Sequence, residues 1–290
     1  MRRLAKKLSF GGRLLIAQRL LRRIFVGTQG IAHIDDFDGD LSIDLRLSEH
    51  MQSRIFWMDY YSADIVFLLN RILRPGMVVF DVGANVGEVT MIAAKRTGVT
   101  GRVIAFEPVD TIAQVLEENV RRNALDWVSV IRAGVADTER SADIYASCGQ
   151  GNPDEEHHGL GSIYGNRDVA RSLQTIRLTT LDSFLSSHPF ERLDLVKIDI
   201  EGAELPCLQG ASRTLSRFKP MLIIEVQAKT AAAAGYQPAD ILAYLAQYGY
   251  TFHKIGRAGR LSALNSTALS DYQNILCVVA AHNLPDPTVT

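Results

Sequence analysis

The chain has 290 residues, 47% of them hydrophobic and 22% charged, with a formal net charge of −1. That balance supplies material for a sizeable core and argues against a disordered polymer. No apolar run is long enough to span a bilayer, and Cys148, Cys207 and Cys277 show neither an even pairing number nor metal-ligand spacing, so a reducing, cytoplasmic setting is expected.

Residues 1–30 form a basic amphipathic segment. Arg2, Arg3, Lys6, Lys7, Arg13, Arg19, Arg22 and Arg23 all precede the first acid, Asp35, and Leu4, Leu8, Leu15, Leu20 and Ile24 interleave with them. The stretch lacks the apolar core and cleavage site of a secretory leader. Two readings stay open: residues 1–24 make a peripheral contact with anionic lipid at the membrane inner face, or they pack on this domain or a partner subunit with the basic face in water.

Residues 31–75 lead into the core. Alternation around Asp38-Gly39-Asp40 predicts a hairpin, and Ile65, Leu68, Leu69, Ile72 and Leu73 predict one helical face stopped by Pro75-Gly76. The main domain then runs over 76–285. Val78-Val79-Phe80-Asp81-Val82-Gly83-Ala84-Asn85-Val86-Gly87 reads as a buried strand, a glycine turn and a helix start. Gly83 and Gly87 are expected to let the backbone approach a ligand closely. Gly101-Arg102-Val103-Ile104-Ala105-Phe106-Glu107-Pro108 reads as a second strand ending in a carboxylate, and Glu107 suits two ribose hydroxyls.

The turn spacing is Asp-x-Gly-x-Asn-x-Gly, not Gly-x-Gly-x-x-Gly, and a carboxylate as near as Asp81 serves a pyrophosphate poorly. A ligand bearing an ammonium could pair with Asp81 directly or through water. S-adenosylmethionine fits these features better than a nicotinamide or flavin, with Asp81, Gly83, Ala84, Asn85, Gly87, Glu107 and Pro108 as the cofactor-binding set.

Ile112, Val115, Leu116 and Val120 mark the next helix, Val128–Ile131 a third strand, and Asp143-Ile144-Tyr145 a short extra one. Residues 147–172 are polar and glycine-rich, a lid or a disordered segment, with His157 and His158 read as solvated. Order resumes at Ile176-Arg177-Leu178. A fourth core strand, Leu193–Ile200, runs into Glu201-Gly202 and one helix carrying Pro206, Leu208, Ala211, Leu215 and Phe218. Met221–Val226 is the fifth core strand. A helix around Ile241, Leu242 and Leu245 stops at Gly249, and two late strands, Thr251–Ile255 and Asn274–Val279, finish the sheet.

Ligands of open α/β sheets sit beyond the carboxyl ends of the strands. Asp199, Glu201 and Glu225 stand there as candidate catalytic residues, able to orient an acceptor hydroxyl, take its proton or hold a divalent metal. Glu201 has an alternative role as a helix cap, and Glu225 as a hydrogen-bond partner of a neighbouring loop. No histidine-rich pattern marks a metal site, so the metal-independent reading leads.

The Asp-Val-Gly-Ala-Asn-Val-Gly turn, Phe106-Glu107-Pro108, Asn119 with Asn123, Thr180-Leu181-Asp182, Lys197-Ile198-Asp199-Ile200-Glu201-Gly202-Ala203-Glu204 and Ile224-Glu225 together resemble the FkbM family of S-adenosylmethionine-dependent methyltransferases. The resemblance implies a class I methyltransferase fold: an α/β, Rossmann-like, seven-stranded and mostly parallel sheet with an antiparallel closing strand. It also implies O-methylation of a hydroxyl on a sugar, glycan or natural product. One departure is that the family's Gly-x-Tyr-Glu segment is here Asp59-Tyr60-Tyr61-Ser62, which keeps the tyrosine without the glutamate. The alternative, a nucleic-acid methyltransferase recruited by the basic arm, lacks an Asn/Asp-Pro-Pro-aromatic motif and interleaved aromatics for base stacking. An oxidoreductase is disfavoured by the turn spacing, and a non-catalytic scaffold by the intact acids.

Overall fold

The computed structural model describes residues 30–146, 161–164, 172–264 and 269–282. The basic arm at 1–24, Cys148, and His157 and His158 of the proposed lid lie outside the described residues. In chain order the elements are β1 (Ile31–Phe37), β2 (Leu41–Arg46), α1 (His50–Met58), α2 (Ala63–Ile72), β3 (Val78–Val82), α3 (Glu88–Thr97), β4 (Arg102–Phe106), α4 (Asp110–Arg122) and β5 (Val128–Ile131). There follow β6 (Gly134–Val135), β7 (Arg140–Ala146), β8 (Gly161–Ser162), β9 (Ser172–Thr179), α5 (Leu181–Ser187), β10 (Leu195–Ile198), α6 (Glu204–Gln209), α7 (Ser212–Phe218) and β11 (Met221–Gln227). Last come α8 (Ala228–Ala233), α9 (Pro238–Ala246), β12 (Thr251–Ile255), β13 (Leu261–Ala263) and β14 (Tyr272–Val278).

The main sheet has eight strands in the order β13-β12-β14-β11-β10-β3-β4-β5. β5, β4, β3, β10 and β11 are parallel; β14 runs against β11, and β12 runs against β14. The expected seven strands are therefore present, and the eighth, β13, is a short edge addition antiparallel to β12. The strand order reverses between β3 and β10, which opens a crevice at their carboxyl ends.

Because side chains alternate along a strand, each core strand feeds two layers. Val79, Leu195, Ile223 and Leu276 pack with α2, α3 and the β1–β2 hairpin, while Phe80, Val196, Ile224 and Cys277 pack with α5, α6, α7 and α9. Asp81 and Lys197 are register partners on neighbouring strands, and they share the face of Val79 and Ile223 with Glu225. The period alone thus places an acid, a base and a second acid on one side of the sheet.

The hairpin shares the core of the main domain. Ile43 and Leu45 are fully buried with Leu116 and Met91, and α4 holds β2 by side-chain amides. Asn119 Oδ1 accepts from Asp44 N at 2.9 Å, and Asn123 Oδ1 accepts from Ser42 N at 2.7 Å. At the hairpin tip Asp38 accepts from the Tyr60 hydroxyl and pairs with Arg96 and Lys95.

One expectation needs correction, and another is met by a longer element. The single helix expected after Glu201-Gly202 is two helices broken at Gly210, where a side chain would strike the backbone carbonyl of Ala136. The short strand at Asp143–Tyr145 is part of a second, four-stranded sheet, β6-β9-β7-β8. Its Ile144, Ile176 and Leu178 pack with Val86, Val109 and Ile112 above the glycine turn. That sheet walls the crevice.

Candidate active site

The glycine turn joins β3 to α3. Gly83, Asn85 and Gly87 all take positive φ (80°, 51° and 99°), which folds the turn tightly. The backbone amides of Gly83 and Ala84 both donate to the Phe106 carbonyl at 3.0 Å, tying the turn to the end of β4. Asn85 N and Val109 N each donate to one oxygen of Glu107 at 2.9 Å. Burial pushes the Glu107 carboxyl up to about 7, with the two backbone donors pulling the other way. Each oxygen accepts one bond and keeps a second lone pair.

Gly83, Ala84, Asn85, Glu107 and Pro108 line a cavity of about 1050 Å³, counting its open mouth. Gly87 and Asp81 lie behind that lining. A side chain at Gly87 would meet Leu116 Cδ1 at 2.5 Å, so this glycine serves the packing of α3 on α4. Gly83 is likewise confined by protein, since a side chain there would collide with the Asp199 backbone carbonyl. Asp81 is fully buried; its Oδ2 accepts from Thr90 Oγ1 at 2.6 Å, and its Oδ1 lies 3.4 Å from Lys197 Nζ. It acts behind the turn, out of direct reach of a ligand's ammonium.

At the other end of the cavity Asp199, Glu201 and Glu225 converge, with one carboxylate oxygen from each within 4.8 Å of the others. Among the described residues this is the group dense enough in acids, histidines or cysteines to hold a metal ion. Glu201 reaches it through a left-handed backbone, φ 51°, at the turn after β10. The capping role weighed for Glu201 belongs to Glu204, which accepts from Ile200 N and Gly202 N at 3.0 Å and from the Tyr236 hydroxyl at 3.0 Å. Burial, then the charges of Asp199 and Glu204, push Glu201 up to about 8. Burial also drives Glu225 upward, followed by the charges of Asp199 and Glu201.

Three lining residues were not singled out as site residues from sequence. Lys197 is buried between Asp81 and Asp199. Glu88, in the first turn of α3, accepts from Tyr61 N at 2.6 Å and from Ser62 N at 3.2 Å. It thereby holds Tyr61 as a wall of the cavity, with Arg54 5.0 Å above the tyrosine ring. A carboxylate thus supports this segment, though it comes from α3 and not from the position after the tyrosine. Met51, Ile144, Ile163, Ile176 and Leu178 supply an apolar wall.

A mostly parallel sheet with β14 reversed between β11 and β12, a crevice at the switch point and an acid closing the strand after the glycine turn define a class I methyltransferase. The chain belongs to the FkbM methyltransferase family: the model described as "Methyltransferase FkbM domain" matches residues 81–252. Over 237 residues the chain is 28% identical to the antimetabolite synthetase AmbE of Pseudomonas aeruginosa, covering 72% of this chain and 11% of that one. It is 26% identical to the hexuronic acid methyltransferase AglP of Haloferax volcanii, covering 63% of this chain and 67% of AglP. It is 25% identical to the 2-O-methyltransferase NoeI of Sinorhizobium fredii, covering 50% and 62%. The chain therefore spans only about a tenth of the length of AmbE and less than two thirds of NoeI. Among the described residues no helix is long and apolar enough to cross a membrane.

Proposed function

We propose that this protein transfers the methyl group of S-adenosylmethionine to a hydroxyl on a sugar, glycan or natural product. The observation that carries the reading is the cavity's two polar ends: Glu107 with free lone pairs at one, and Asp199, Glu201 and Glu225 within 4.8 Å of one another at the other. Relatives named for 2-O-methylation and for a hexuronic acid support a sugar-like acceptor.

The residues fit this cofactor. Glu107 keeps one lone pair on each oxygen for a ribose hydroxyl. The apolar Val109, Ile112 and Val135 suit the flat face of a purine. When bound, the sulfonium supplies the activation of the methyl group, so the protein's task is alignment. Asp199 is placed to accept a hydrogen bond, and then the proton, from the acceptor hydroxyl. Glu225 stands beside it, with a carboxylate oxygen within 4.8 Å of one from Asp199. The same three carboxylates have the oxygen chemistry for a divalent cation. The reading is tested by calorimetric titration of the full chain with S-adenosylmethionine, followed by transfer of labelled methyl to a panel of glycans, metabolites and nucleic acids. Labelling confined to nucleic acid would favour the alternative based on the basic arm.

A further inference from the structure

We propose that Lys197 is the positioning residue that holds the cofactor turn and the acceptor-side acid at a fixed separation; this rests on the methyl-transfer reading above. Its side chain is 6% exposed. The ammonium donates to the Gly83 carbonyl at 2.8 Å, and lies 3.4 Å from Asp81 Oδ1 and 3.5 Å from Asp199 Oδ2. Its hydrogen bond goes to the Gly83 carbonyl, and the two carboxylates stand at ion-pair distance from the same ammonium.

The geometry exceeds what a counterion for Asp81 requires. A buried lysine needs compensation by opposite charge, which Asp81 alone supplies as its register partner on β3. Lys197 also grips the turn. The Gly83 carbonyl is held by Nζ, while the amides of Gly83 and Ala84 are held by the Phe106 carbonyl, so this turn is pinned from two sides. Asp199 follows Lys197 by two residues and its amide donates to the Val82 carbonyl at 3.1 Å, so one side chain and one backbone bond register the two strand ends against each other. In-line transfer is sensitive to displacements well below a bond length, and a single cation spanning both ends is a direct way to fix them.

The test uses the full chain, with S-adenosylmethionine as the calorimetric probe. Failure of the wild type to bind it overturns the proposed function and this inference together. With binding established, Lys197→Met is compared with the double variant Asp81→Asn/Lys197→Met, which removes the buried unpaired charge. The expected result is that the double variant regains thermal stability over the single one yet binds the cofactor roughly tenfold or more weakly, as for a lost charge-assisted bond. Amide hydrogen exchange at Gly83 and Ala84 should quicken in the double variant and stay slow in Asp81→Asn alone. A double variant with wild-type affinity and slow exchange would show that Lys197 merely balances Asp81. If neither lysine variant folds, Lys197→Arg decides: it keeps the charge but replaces the compact ammonium with a planar fork, so a roughly tenfold loss of affinity is expected and wild-type affinity overturns the proposal.

Discussion

Gly83 lies directly against the backbone of Asp199: a Cβ on Gly83 would run into the Asp199 carbonyl oxygen, with Ile200 Cγ2 only 3.0 Å away. The turn that faces the cofactor end and the strand that carries the acceptor-side acid are thus in backbone contact. Gly83 also sits at φ 80°, where a side chain is strained whatever the space. Gly83→Ala should lower the melting temperature and abolish S-adenosylmethionine binding, because backbone cannot move aside as a flexible side chain can. Wild-type affinity in a stably folded Gly83→Ala protein would show that this contact does not shape the site.

Glu107 is expected to contribute at least one ribose hydrogen bond. Glu107→Ala also strips the acceptor from Asn85 N and Val109 N, so it should weaken S-adenosylmethionine binding by at least about 1–3 kcal/mol. Calorimetry alongside circular dichroism checks this. Unchanged affinity with the fold intact would remove Glu107 from the cofactor set.

The acids at the far end should affect turnover more than cofactor binding. Asp199→Asn and Glu201→Gln keep shape and remove the capacity to take a proton, and general-base assistance is worth roughly 10²–10⁴-fold. At least one of them should retain S-adenosylmethionine affinity while labelled methyl transfer collapses. Addition of a chelator to the wild type separates the two chemistries available to Asp199, Glu201 and Glu225. Full activity is expected; loss restored by magnesium would make them metal ligands. Normal turnover in both variants would make the acids structural and direct the search for a base to residues 147–172.

The buried glutamates set a pH dependence whose sign follows from burial. Glu88 is pushed by burial up to about 7 from its ordinary 4.5, against the pull of the Tyr61 and Ser62 amides. Burial likewise takes Glu107 to about 7 and Glu201 to about 8. Between the unfolded and folded values the folded protein holds more protons, so stability is greatest below the lower value and is lost as pH rises through the window. Melting temperature should therefore fall from about pH 5 to about pH 8 through these groups and then level. Glu88→Gln should make the fall shallower while lowering the whole curve, because one acceptor for Tyr61 and Ser62 is lost. An unaltered slope would show that Glu88 does not titrate in this range.

Much of this arrangement is legible in the residues themselves. The apolar run before Asp81, the glycine turn and Glu107 announce strand, turn and second strand, and period-two alternation brings Asp81, Lys197 and Glu225 to one face. What local pattern leaves out is reach. Glu88 binds amides 27 and 26 positions earlier in the chain, and Lys197 grips a carbonyl 114 positions away. Such contacts exist only once the strands are in register. The same holds for Gly210, an ordinary helix residue in sequence until Ala136 approaches it, and for Gly87, whose α-carbon packs against Leu116. Helix α1 went unpredicted because its buried face, Gln52, Ser53, Ile55 and Trp57, is half polar, with Gln52 bonded to the backbone of Arg46.

The strand β14 separates two notions of a domain. The family match ends at residue 252, whereas Tyr272–Val278 lies between β11 and β12 and bonds both of them. A fragment trimmed to 81–252 would lose an interior strand, and with it the hairpin whose Ile43 and Leu45 cover α4. The unit expected to unfold cooperatively is therefore longer than the matched stretch and is fastened at both ends by segments outside it.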